Sequence, residues 1–108
     1  MTAPTALPIA RLRAAGAKVS TIIGHWPKIG DWIYGVTPPA AYSLDHLMRE
    51  IRDTSPDVRV TVAPDRGRII VSMTSYRKNE PLPSRTERER RGALVAATLH
   101  RLADKIGA

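Results

Sequence analysis

The residues best equipped for chemistry in this sequence are its cations. From Arg77 onward the chain carries Arg77, Lys78, Arg85, Arg88, Arg90, Arg91, Arg101 and Lys105 against Glu80, Glu87, Glu89 and Asp104. That stretch holds more than half of the net charge of +7. Guanidinium and ammonium groups gathered on one face neutralise phosphates, and such a footprint points to nucleic acid. On a helix of 3.6 residues per turn, Arg90, Arg101 and Lys105 share a face, with Arg77, Lys78 and Arg85 near its N-terminal end. These six are the candidate nucleic-acid-binding residues, contacting phosphates with little base readout. Leu94 lies within the same face, and an apolar residue among arginines suits a partner surface. The competing structural explanation is that Arg85–Glu89 and Glu87–Arg91, each four residues apart, are ordinary exposed helix pairs. Thirteen of the seventeen basic residues are arginine, a bias that fits a GC-rich genome as readily as phosphate recognition.

A second set of polar groups falls on one side of a strand pair. Arg59, Thr61, Arg68, Ser72, Thr74 and Tyr76 alternate with apolar residues. Sheets that read single strands combine arginines with stacking aromatics. Here only Tyr76 can stack, and Ile70 interrupts the row, so an ordinary half-exposed face competes with a binding face. A third feature is the segment holding Trp26 and Trp32. Tryptophan is enriched at interfaces, but in a chain without Phe the two rings also serve as core anchors. Trp26, Trp32, Ile70 and Leu94 are the candidate partner-binding residues. The free N–H groups after Ser84, with Arg85 and Arg88 nearby, form a further anion site in outline, in competition with the helix cap itself.

Catalytic patterns are poor. His46 is four residues from Glu50 on a helix face, and His100 falls at the flank of the last helix. Neither belongs to a two-histidine metal spacing, and there is no phosphate-binding glycine loop. The chain contains no cysteine, which removes disulfides, thiolate metal sites and thiol nucleophiles. No enzyme activity, cofactor or metal is expected. No apolar run reaches the roughly 20 residues of a membrane helix, and the N-terminus lacks the order of a signal peptide. The expectation is a cytoplasmic protein that does not engage membranes.

The elements that must position these groups can be read from pattern. Residues 1–7 are expected as a flexible tail and 8–108 as one compact domain. A first helix is predicted from Pro8 to about Lys18, weakened by Gly16. Residues 19–42 are punctuated by Gly24, Pro27, Gly30, Gly35 and Pro38–Pro39. Val19 to Ile23 reads as a strand or a last helical turn, and Trp32–Tyr34 as a short strand. Ser43 and Asp45 open a second helix with Leu44, Leu47, Met48 and Ile51 on one face; Thr54, Ser55 and Pro56 close it.

Val58, Val60 and Val62 alternate with polar residues, and Pro64–Gly67 forms a turn. The return strand runs from Arg68 to about Tyr76. Ser84 and Glu87 match a capping box that opens a helix from Arg85 to Ile106, with Val95, Ala96, Leu99, Leu102, Ala103 and Ile106 on its apolar arc. No internal repeat is apparent.

The expected fold is therefore α+β, a small antiparallel sheet built on a hairpin at about 58–76 and packed against two or three helices, in the order α-(β or loop)-α-β-β-α. The expected function is that of a small basic nucleic-acid-binding accessory or regulatory protein acting through its arginine-rich C-terminal helix. The alternative is a non-enzymatic protein-interaction module, with a protein partner or a second copy of the chain.

Overall fold

Alternating valines need a covered face, and that requirement organises the chain. The computed structural model describes residues 5–21, 33–40, 42–51, 58–63, 67–73 and 84–107. The elements are α1 (Ala6–Ala14), β1 (Lys18–Thr21), β2 (Ile33–Thr37), α2 (Leu44–Ile51), β3 (Val58–Ala63), β4 (Arg68–Met73) and α3 (Arg85–Ile106). The four strands form one antiparallel sheet in the order β1-β2-β4-β3. The fold is α+β, as the patterning predicts.

The register explains which side chains meet. Val60 pairs with Val71 and Val62 with Ile69 across β3 and β4. Tyr34 then pairs with Val71, and Val36 with Ile69, across β2 and β4. Because side chains alternate across a strand, these residues share one face. Tyr34, Val36, Val58, Ile69 and Val71 are buried in one cluster with Leu12 of α1, Leu47 and Ile51 of α2, and Val95, Leu99, Leu102, Ala103 and Ile106 of α3. All three helices therefore lie on this face. The hairpin closes at Gly67, whose φ of 62° is in the left-handed region that glycine enters without strain.

The last helix has the bounds that its pattern predicts. Ser84 Oγ accepts from the Glu87 N–H at 3.1 Å, and Tyr42 Oη donates to the Ile106 carbonyl at 2.6 Å, satisfying a C-terminal orphan. Thr98, fully buried, donates to the Leu94 carbonyl one turn back. In α2, Ser43 Oγ accepts weakly from the His46 N–H at 3.4 Å. Its closing residues, Thr54 to Pro56, lie outside the described residues.

Two expectations near the N-terminus are corrected. The helix starts at Ala6, not Pro8, so Thr5 to Leu7 are not part of a tail. Pro8 is tolerated because the first turn's N–H groups have no intrahelical acceptors. Thr5 is buried, and its hydroxyl meets that of Tyr34 at 2.8 Å. The helix also stops at Ala14 rather than Lys18. Gly16 turns the chain at φ 94°, and Lys18 to Thr21 become a strand. The uncertain stretch thus contains two strands, β1 and β2, paired as a hairpin. The described elements therefore run helix, two strands, helix, two strands, helix.

Candidate functional site

The chain carries two basic surfaces, and their cations are bonded differently. On α3, Arg85 Nε pairs with Glu89 at 3.1 Å. Arg90 binds both carboxylate oxygens of Glu87, at 2.9 and 2.7 Å, and Arg91 Nε reaches the same carboxylate at 3.3 Å. The two arginines, Arg90 first, hold the Glu87 carboxyl down to about 2. Lys105 Nζ reaches Glu50 of α2 at 2.9 Å, and His46 approaches the same group at 3.9 Å. The Lys105 hydrogen bond keeps Glu50 below the ordinary carboxylate range, with Arg101 adding to the field. Asp104 is paired with Arg11 of α1, whose other guanidinium nitrogen meets His100 Nδ1 at 2.9 Å. That hydrogen bond leads the downward shift of Asp104.

This arrangement bears on the six cations singled out from the sequence. Arg85, Arg90 and Lys105 are engaged by carboxylates. Arg101 is exposed. Arg77 and Lys78 lie outside the described residues. A phosphate approaching α3 meets Glu87, Glu89, Asp104 and Glu50 along with the cations. Leu94, the apolar residue among them, is half-buried and packs against the core, which gives it a structural role.

The second surface is the sheet face turned away from the helices. By register it carries Lys18 and Ser20 of β1; Ile33, Gly35 and Thr37 of β2; Arg68, Ile70 and Ser72 of β4; and Thr61 and Ala63 of β3. Arg59 occupies the position opposite Ser72. None of the four strands contains an Asp or Glu. Lys18, Ser20 and Thr61 are exposed, and Thr37, Arg68, Ile70 and Ser72 are half-buried. Ile33 and Ile70 are not among the apolar residues packed on the core.

Ser20, Gly35, Ile70 and Thr61 form one row across all four strands. Arg68 reaches diagonally over Gly35, and its Nε is buried without a hydrogen-bond partner among the described residues. Among the described residues the face therefore combines cations, hydroxyls and two half-buried isoleucines without a carboxylate.

The sequence reading identified the half of this face on the 58–73 hairpin. It missed Lys18, Ser20, Gly35 and Thr37, because pairing between distant hairpins is not written in local pattern. One signal was present: a glycine inside the apolar run Ile33–Val36 marks a close approach of other atoms. Trp26, Trp32, Thr74 and Tyr76 lie outside the described residues. Among the described residues no group of three or more His, Asp or Glu is placed to hold a metal ion, and no helix is long and apolar enough to cross a membrane. No protein family, characterised protein or solved structure matches the chain.

Proposed function

We propose that this protein is a small nucleic-acid-binding accessory or regulatory protein, acting in the cytoplasm, whose principal contact surface is the outer sheet face rather than α3. One observation carries the reading: Lys18, Arg59 and Arg68 stand on strands that hold no carboxylate, whereas the α3 cations are interleaved with acids. Cations beside hydroxyls attract phosphates, and an antiparallel sheet face is broad enough to track a strand. Arg101, exposed on α3 on the helical side of the sheet, would make only a separate, secondary contact. Among the described residues no aromatic lies on this face, so the reading supplies affinity through phosphates and little base discrimination.

The test is fluorescence anisotropy with labelled single-stranded DNA and RNA across a salt series. Each phosphate neutralised on a single strand contributes about −0.7 to the slope of log K against log salt. Contacts from Lys18, Arg59 and Arg68 give a slope of about −2 by that rule. No binding at low salt to either nucleic acid removes the proposal.

The second reading, a protein-interaction module, is favoured by Ile33 and Ile70, which are half-buried on this face without joining the core. Self-association measured by light scattering, abolished by Ile70→Lys, would support it over the first.

A further inference from the structure

Gly35 sits in the second strand of the sheet, and its missing side chain makes room for the Arg68 side chain on the outer face. A Cβ there would lie 3.1 Å from Arg68 Cδ, 3.2 Å from Arg68 Nη1 and 3.2 Å from Ser20 Oγ. Three strands therefore converge on one point: β2 provides a bare backbone floor, β4 a guanidinium and β1 a hydroxyl. Ser20 stands directly opposite Gly35, and Arg68 is two residues from Ile70, the partner of Gly35 on the other side. Arg68 is half-buried, and its stem is laid across the sheet by packing.

The Nε of Arg68 is buried with no hydrogen-bond partner among the described residues. An unpaired buried donor is costly, and the cost is recovered when an acceptor arrives. A guanidinium presents its Nε and Nη donors as a rigid fork that matches two oxygens of one phosphate. A carboxylate from this protein could fill the same role, but the four strands supply none.

We propose that Gly35, Ser20 and Arg68 form a phosphate subsite on the outer sheet face. A modest turn of the Arg68 side chain lets Nε and one Nη nitrogen donate to two phosphate oxygens, while the Ser20 hydroxyl donates to one of them. Gly35 leaves the room in which the Arg68 side chain lies across the strand beside Ser20. This inference rests on the nucleic-acid reading and names the residues that grip a phosphodiester. The other source of the same chemistry is free inorganic phosphate.

The experiment has two arms on the full chain. The first measures binding of labelled single-stranded DNA at low salt by wild type, Arg68→Lys, Ser20→Ala and Gly35→Ala, with circular dichroism to confirm the fold. Lysine keeps the charge but loses the fork, so Arg68→Lys is expected to weaken binding about tenfold. Ser20→Ala removes one hydrogen bond and is expected to cost about threefold. Gly35→Ala pushes the Arg68 stem and Ser20 out of place and should weaken binding severalfold.

The second arm titrates wild type with inorganic phosphate and follows the Arg68 Nε–H resonance. If DNA binds and Arg68→Lys stays within twofold of wild type, the subsite is overturned while the sheet-face reading survives. If DNA does not bind but phosphate shifts the Arg68 Nε–H signal, the subsite stands with free phosphate as its ligand and the nucleic-acid reading falls. If neither ligand is bound, both fall.

Discussion

The C-terminal helix and the outer sheet face are both basic, but among the described residues the acids lie on the helical side: Arg85, Arg90 and Lys105 are paired with carboxylates, whereas the strands carry none. On α3 the cations meet Glu87, Glu89 and, across helix boundaries, Glu50; Asp104 is met by Arg11 from α1. Exposed pairs of this kind contribute little stability, but they flatten the local potential and help α3 sit against both other helices. On the sheet, Lys18 and Arg68 stand among hydroxyls on strands without an acid. Local charge density and available charge are therefore different quantities, and the three-dimensional neighbours decide between them.

The comparison can be broken most forcefully through the core. If α3 is primarily a structural element, Leu99→Ala should destabilise the protein by about 2–5 kcal/mol, read by urea denaturation. Leu99 is fully buried, so a loss well under 1 kcal/mol would detach α3 from the core and reopen its role as the binding element. Next in size is charge reversal. The double variant Lys18→Glu, Arg68→Glu should lower DNA affinity at least tenfold, about 1.4 kcal/mol. Arg85→Glu with Arg101→Glu should lower it less than threefold, and the opposite ranking would return the site to the helix.

Smaller effects sharpen the account. Ser84→Ala removes the hydroxyl that accepts from the Glu87 N–H, and should cost about 1 kcal/mol of stability without altering DNA affinity. The smallest effect is on acid stability. The Glu87 carboxyl is held down to about 2 in the folded chain, and Glu50 and Asp104 are also held low. A carboxyl lowered by folding stabilises the protein above its unfolded value and loses that contribution as pH falls through the folded one. For Glu87 the window runs from an ordinary carboxylate value of about 4.3 down to about 2. Melting midpoints should drop across that window, and Glu87→Gln should drop less than wild type.

Much of the fold was legible because its signals are local. The valine alternation at 58–62, the turn at Gly67, the cap at Ser84 and the apolar arc from Val95 to Ile106 each lie within a few residues of sequence. The first hairpin was only partly legible: its strands are expected near Val19–Ile23, with a helical turn as the alternative, and at Trp32–Tyr34, but their pairing is not. Its strands are short, Lys18–Thr21 and Ile33–Thr37, and eleven residues, 22–32, lie between them in sequence. Their place in the sheet depends on pairing β2 with β4, a contact between residues more than thirty positions apart.

The start of α1 was misread because Pro8 suits more than one position in a first helical turn, and the buried Thr5–Tyr34 hydrogen bond that favours the earlier start is nonlocal. For the site the lesson is the same. Arg59, Arg68 and Ser72 were identified from the hairpin alone, but Lys18, Ser20 and Gly35 join them only once the sheet is assembled. The pairing of Lys105 with Glu50 likewise crosses from α3 to α2 and has no trace in local sequence.

The central claim is that available positive charge lies on the outer sheet face. It is tested most directly by a backbone amide NMR titration of the full chain with single-stranded DNA. The account predicts that the largest shifts cluster at Ser20, Gly35, Arg68 and Ile70, with α3 amides from Arg85 to Lys105 changing little. Shifts concentrated along α3, with the strand amides unmoved, would contradict it.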